Sequence, residues 1–176
     1  MTHVVLGLGS NNSLNSGGKI LPPDAVLKKA CILLSAVLEK NNLVLSSVYK
    51  TKPLYHTDQH DFLNMAVSGY YRGSAFELLS QTQEIEASLG RNRAAELRNG
   101  PRTLDIDIEI FGSEAVNTGI LTIPHEKIAE RAFVLIPLLE ILPEYADPIS
   151  GVKYKTIISA LPDQGVLKIL PPFEIG

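Results

Sequence analysis

Sulfur chemistry has almost no place in this chain. Its 176 residues include one cysteine, Cys31, which excludes an intramolecular disulfide and a cysteine-based zinc cluster. No apolar run approaches the roughly 18 residues of a membrane-spanning helix. The N-terminus MTHVVLGLGSNN lacks the charged start and the length of a secretory signal, so a cytoplasmic location is expected. Internal repeats and low-complexity segments are absent. Excess charge is also scarce: a net charge of −3 and a pI of about 5.8 weigh against a dedicated nucleic-acid binder. What remains is an ordinary globular composition, 45% hydrophobic and 20% charged. The length suits one domain over residues 1–176, with enough interior to fold without disulfides or a structural metal.

Arginine is rare too, and its placement is informative. Four of the six arginines (Arg91, Arg93, Arg98 and Arg102) fall within twelve positions, just ahead of Asp105 and Asp107. A local basic cluster beside paired carboxylates, on an acidic protein, points to a small polyanionic ligand handled with a metal.

Hydrophobic periodicity sets the expected order of elements. HVVLGLG at 3–9 reads as a buried strand ending at glycines. The stretch 9–18 reads as a turn-rich loop. A helix is expected from Pro23 to about Asn41, with Val26, Leu27, Ala30, Leu33, Leu34, Val37 and Leu38 inward. Strands follow at Leu43–Tyr49 and Phe62–Arg72, with a polar loop at 51–61 between them. Ser74 and Glu77 form a capping box, opening a helix that carries Leu78, Leu79, Ile85 and Leu89 inward and stops at Gly90. Residues 91–102 read as a loop. Thr103–Phe111 alternates as a half-buried strand, with Leu104, Ile106, Ile108 and Ile110 on one face and Asp105, Asp107 and Glu109 on the other. Short strands, a short helix near 134–142 and a proline-rich tail complete the chain. The resulting β-α-β-β-α-β order with a C-terminal extension predicts an α+β, ferredoxin-like fold: an antiparallel sheet with helices on one face.

Asp105-x-Asp107 is the sharpest chemical feature. Alternate strand residues point the same way, about 6.6 Å apart. Two carboxylates at that spacing repel unless a cation sits between them, and an all-oxygen site shared with substrate phosphates suits Mg²⁺. A bare D-x-D is more often a solvated strand face; the adjoining arginines shift the balance to a metal. Glu109 is expected to lie exposed at the strand end. Arginine forks match phosphate oxygens, and a loop carrying them can close over a triphosphate. Arg102 is pinned beside Gly100-Pro101; Arg98 is the easiest to dismiss. Ile123-Pro124-His125, followed by Arg131 and Phe133, sets a histidine and an arginine after a proline. His3, His56 and His60 read as structural. Phe62 and Phe133 read as core residues or as stacking groups for a flat heterocycle whose edge Asn64 can pair with. No Ser-His-acid triad is present, and GLGSN lacks the residues of a phosphate loop.

Four segments together resemble the 6-hydroxymethyl-7,8-dihydropterin pyrophosphokinase family: LGSN at 8–11, SSVYKTKPL through FLNMAV at 46–67, EIEASLGRNR through GPRTLDIDI at 84–108, and LTIPHEKIAERAFVLIPLLEI at 121–141. The likeness covers most of residues 3–145. It implies a monomeric transferase of folate biosynthesis that moves pyrophosphate from MgATP to the pterin hydroxymethyl oxygen and releases AMP. By match to the family motifs, Asp105 and Asp107 hold two Mg²⁺ ions. Phe62 and Phe133 sandwich the pterin, and Asn64 reads its edge with backbone groups near Thr51 and Leu54. Arg91, Arg93 and Arg102 serve the phosphates. Gln83, Glu86, Ile108, Thr122, His125 and Arg131 line the nucleotide side. The chain departs from the pattern at Asn99 (where tryptophan is common), Lys52 and Glu126, and in a longer first loop. Two other readings stand beside this one: a different Mg²⁺-dependent nucleotidyl or phosphoryl transferase, and an RNA-binding module. The second is disfavoured because Asp105, Asp107 and Glu109 would repel a phosphate backbone. Neither nucleic acid nor membrane is expected as a partner.

Overall fold

The computed structural model describes residues 1–53, 58–93 and 100–175. In chain order these form β1 (Thr2–Ser10), β2 (Leu14–Ser16), β3 (Lys19–Leu21), α1 (Pro23–Val37), β4 (Val44–Leu45), β5 (Val48–Thr51), β6 (Phe62–Tyr71), α2 (Ala75–Ser88) and β7 (Asp105–Phe111). Then come β8 (Val116–Asn117), β9 (Thr122–Ile123), α3 (Ala132–Ile141), α4 (Tyr154–Ala160) and β10 (Leu167–Leu170). The main sheet is antiparallel in the order β10-β5-β6-β1-β7, with β4 also on β6. The fold is thus mixed α/β around an antiparallel sheet.

Helices cover both faces of this sheet, not one as expected. Val4, Leu6 and Leu8 of β1 meet Val26, Leu27, Ala30 and Leu34 of α1 and Leu78 and Ile85 of α2. On the opposite face, Val5 of β1 and Ile110 of β7 meet Val134, Leu135 and Leu138 of α3 and Tyr154 of α4. The physical reason lies in α3: its sequence AFVLIPLLEI is apolar nearly all round, and such a helix needs cover on most sides. The second face of β1 and β6 supplies it.

Other differences have local causes. The 9–18 stretch is not all loop. It runs into the β2–β3 hairpin, turned by Gly17 (φ 58°) and Gly18 (φ 81°), the paired positive φ values of a tight hairpin. Helix α1 stops at Val37, short of Asn41, because Leu38 is extended and the Glu39 amide donates to the Tyr70 carbonyl at the end of β6. The expected strand at Leu43–Tyr49 is split at Ser46 and Ser47, both fully buried. The Ser46 hydroxyl accepts from the Ala66 amide, and Ser47 turns its amide and hydroxyl to Glu140 of α3. The capping box of Ser74 and Glu77 opens α2, and Gly90 follows it at φ 84°. The extension beyond 145 holds α4, which was not anticipated, and β10, one of the expected short strands, which pairs with β5 at the sheet edge.

The strand carrying the two aspartates is irregular in a way its alternation does not reveal. Register against β1 shifts between Val5, opposite Ile110, and Leu6, opposite Ile108. Glu109 is the extra residue of a β-bulge. Beyond the bulge, Ile110 lies in the α3 cluster instead of beside Ile106 and Ile108.

Candidate active site

The cleft opens on the face covered by α3, above a floor made by the cross-strand rows Gly9–Asn64–Asp105 and Gly7–Ala66–Asp107. Small residues in both rows leave space between sheet and helix, a cleft of about 590 Å³. Its walls bring together Thr51, Phe62, Asn64, Arg91, Arg93, Arg102, Asp105, Asp107, His125, Arg131 and Phe133, along with Glu109. Residues from five separate parts of the sequence therefore converge as expected.

Asp105 is the anionic hub. Arg102 Nη1 lies 2.6 Å from its Oδ2, Arg91 Nη1 is 3.4 Å from Oδ1 and Arg93 Nη2 is 4.0 Å away. Arg91 also donates to the Leu104 carbonyl at 3.0 Å. Asp107 differs. Burial and the neighbouring Asp105 charge push its carboxyl up to about 7, against the opposing pull of Arg131 and Arg102. Two close carboxylates, one of them strained toward protonation, are a donor set that a hard divalent cation fits. Among the described residues no cluster of three or more metal-ligating side chains occurs, so such a cation would draw its other ligands from water and phosphate.

Glu86, 1% exposed on α2, accepts from the Ile106 amide at 2.7 Å and from Arg93 at 2.6 and 3.0 Å. Burial raises its carboxyl above the usual range. It locks α2 to β7 and holds Arg93 at the cleft. Gln83, which the resemblance puts on the nucleotide side, is exposed and outside the cleft. The inward stripe of α2 runs through Leu78, Thr82, Ile85 and Glu86, and Gln83 lies off it. Ile108 is buried among core residues on the other face of the sheet, which leaves only its backbone for any nucleotide contact. Thr122 sits on β9, opposite Asn117, and does not line the cleft. Leu54, Arg98, Asn99 and His56 lie outside the described residues.

Asn64 is buried, and its amide donates to the Thr51 hydroxyl at 2.8 Å. Arg102 lies 5.5 Å from the Phe62 ring centre, and Arg131 lies 5.6 Å from that of Phe133. Guanidinium groups therefore cover both aromatic faces. His125 donates its backbone N–H to the Glu109 carbonyl, and its Nδ1 accepts from the Lys127 amide at 3.2 Å, leaving Nε2 as the ring donor. Burial, aided by Arg131, lowers the imidazole to about 4, so the ring is neutral near pH 7.

Two site features escaped the sequence reading. Glu109 is not exposed: it is 1% exposed, lines the cleft and, among the described residues, has no hydrogen-bond partner on either carboxyl oxygen. Burial, with the nearby Asp107, pushes its carboxyl well above the usual range. Glu109 stays on the face of Asp107, and what buries it is the cover of α3 over that face, which local alternation does not signal. The other is Asn11, quoted only as part of LGSN. It is buried, accepts from the Arg102 amide at 2.8 Å and donates to Gln59 Oε1 and the His60 carbonyl. The Asn11 and Asn12 amides return two bonds to the Arg102 carbonyl. Replacing Asn11 with alanine is expected to cost about 2–3 kcal/mol, from three lost bonds of about 1 kcal/mol each. Urea denaturation of the two proteins measures this, and an unchanged midpoint would contradict it.

The family model described as 7,8-dihydro-6-hydroxymethylpterin-pyrophosphokinase matches residues 5–143. A 2-amino-4-hydroxy-6-hydroxymethyldihydropteridine pyrophosphokinase of Bacillus subtilis is 44% identical over 125 residues, covering 71% of this chain and 74% of that one. A mitochondrial folate synthesis bifunctional protein of Arabidopsis thaliana is 38% identical over 146 residues; the match covers 82% of this chain but 24% of that protein. A crystal structure of Plasmodium falciparum HPPK-DHPS with pteroate superposes with a TM-score of 0.67 at 14% identity, over 90% of this chain and 44% of that one. At that identity the superposition speaks for the fold. No helix among the described residues is long and apolar enough to cross a membrane.

Proposed function

The chain belongs to the 7,8-dihydro-6-hydroxymethylpterin-pyrophosphokinase family, and from that premise we propose how its cleft performs the reaction. The chain is a pyrophosphokinase of folate biosynthesis, acting on the 6-hydroxymethyl pterin. The observation that carries the proposal is the pairing of Asp105 and Asp107 over Gly9 and Gly7, with three arginines converging on Asp105.

ATP is the pyrophosphate donor, and Asp105 and Asp107 would hold two Mg²⁺ ions. When bound, the metal neutralises the polyphosphate and orients the attacked β-phosphorus. Arg91, Arg93 and Arg102, which pair with Asp105 and Glu86, turn to the phosphate oxygens as these arrive. They supply preorganised positive charge where negative charge accumulates. Neutral His125 donates from Nε2, and Arg131 supplies the remaining cation on the nucleotide side. The backbone of Ile108, with Thr122, receives the adenosine. On the pterin side, Phe62 and Phe133 release their guanidinium cover and take the flat ring between them. Asn64, already oriented by Thr51, reads the ring edge. The sheet order β5-β6-β1-β7, connected through α1 and α2, supports a ferredoxin-like reading of the fold. Residues 1–176 act as one domain, as a monomer and in the cytoplasm.

Product analysis tests the reaction. With 6-hydroxymethyl-7,8-dihydropterin, ATP and Mg²⁺, AMP and pterin diphosphate are expected in equal amounts, and neither in EDTA. ADP in place of AMP would refute attack at the β-phosphorus. Phe133→Ala is expected to raise the pterin KM roughly tenfold, about 1.4 kcal/mol of lost stacking, with the ATP KM little changed. Steady-state kinetics with each substrate varied in turn measures the split.

A further inference from the structure

Helix α3 delivers Arg131, at its N-cap, and Phe133, in its first turn, to the cleft. Yet α3 has no capping side chain of its own. Its start is held from far along the chain. Gln164 Oε1 accepts from the Ala132 amide at 2.9 Å, and Gln164 Nε2 donates to the Glu130 carbonyl at 2.9 Å. One side-chain amide thus straddles the backbone of Arg131. The far end of the helix is held from the same segment: Lys168 donates to Glu140 Oε1 at 2.7 Å. Glu140 also takes the Ser47 amide and hydroxyl, which anchors it at the start of β5.

The chain turns at Gly165 (φ 66°) and then enters β10 with Leu167 and Lys168. Eight residues of helix, from Ala132 to Glu140, cover about 12 Å at 1.5 Å each. The five residues from Gln164 to Lys168 therefore supply one tie near each end of the helix.

We propose that residues 164–168 form a strap whose Gln164 and Lys168 are positioning residues for substrate binding, acting through α3 on Arg131 and Phe133. The substrate assignments rest on the reading under Proposed function; the strap itself rests on the bonds just described. Both residues lie outside the cleft, and Lys168 is largely exposed, so neither touches substrate.

The test uses Gln164→Ala, Gln164→Glu, Lys168→Met and the Gln164→Ala/Lys168→Met double variant of the full chain. Gln164→Ala is expected to raise the KM for pterin and for ATP about fivefold. Gln164→Glu keeps the acceptor for Ala132 and loses the donor to Glu130, so its KM values fall between those of Gln164→Ala and the wild type. Lys168→Met alone raises both about twofold, and the double variant exceeds either. Thermal midpoints stay within a few degrees of the wild type. A second readout needs no turnover: amide exchange of Ala132–Leu135 accelerates about tenfold in Gln164→Ala, while that of α2 is unchanged. Unchanged KM values together with unchanged exchange at Ala132–Leu135 would overturn the strap. So would a loss of activity that follows only the fraction unfolded, without the graded response of Gln164→Glu. A wild type without pterin-dependent AMP formation would count against the substrate reading, and the exchange experiment would still decide the strap.

Discussion

Asp107→Asn is expected to lower turnover by roughly 10²- to 10³-fold, the usual loss when one preorganised electrostatic group leaves a reaction centre. The carboxamide keeps the size of the side chain and half of its acceptor capacity, so the fold survives and the loss is chemical. Its pH behaviour is distinctive. Without metal or nucleotide, burial and Asp105 hold the Asp107 carboxyl at about 7. Because the folded-state value lies above the unfolded one, this group contributes most to stability below about pH 4 and loses that contribution as pH rises through about 7. The metal-free wild type therefore becomes less stable across that window, and Asp107→Asn lacks this component. Activity runs the other way. The carboxylate is the form that binds a cation, so kcat/KM for MgATP rises through about pH 7 and levels above it. Thermal melts at several pH values, with and without MgATP, together with a pH–rate profile, measure both. Wild-type turnover by Asp107→Asn would remove this carboxylate from the chemistry.

The second large effect is a gain. Glu109→Leu is expected to raise stability by about 1–3 kcal/mol, because it removes a buried carboxyl with no hydrogen-bond partner among the described residues. For a chain of this size that corresponds to a thermal shift of roughly 2–12 °C. The folded state raises the Glu109 carboxyl, so the gain grows as pH rises above about 4 and is smallest in acid. Gly7 supplies a coupled control. A Cβ at Gly7 would meet Glu109 Oε1 at 2.7 Å, so Gly7→Ala destabilises the wild type and is better tolerated beside Glu109→Ala. A double-mutant cycle should show a coupling of about 0.5–3 kcal/mol. Additive effects at these two positions would contradict the close approach.

These two expectations also mark where the sequence was and was not legible. The aspartates and the arginines ahead of them could be read because alternation and spacing are local signals, whereas Phe62, Phe133 and Asn64 came to the site only through the family resemblance; the cleft gathers all of them. Glu109 sits in the same alternating run, yet its surroundings depend on α3, which arrives more than twenty residues later. The split between β4 and β5 was hidden for the same reason: Ser46 and Ser47 are strand-compatible until Glu140 claims the second of them. The capping box was readable because its bonds close within four residues. Gln83 lies away from the cleft because Thr82 and Glu86 form the inward row of α2, a choice of face that only the packing of the helix on the sheet sets. Helices on both faces could not be seen from α3 alone, since a uniformly apolar segment has no preferred side.

The pairing of β10 with β5 carries a consequence for how copies of the chain meet. With β10 in place, the backbone donors and acceptors on the outer side of Val48–Lys50 are engaged. Shortening the chain before Leu167 would bare them, leaving a sticky margin flanked by Val48 and Tyr49, ready to accept a strand from another molecule. Such shortened chains should cross-link into dimers and larger species at concentrations where the full chain does not, and a synthetic peptide of the sequence LKILPPF should suppress this by filling the vacated place.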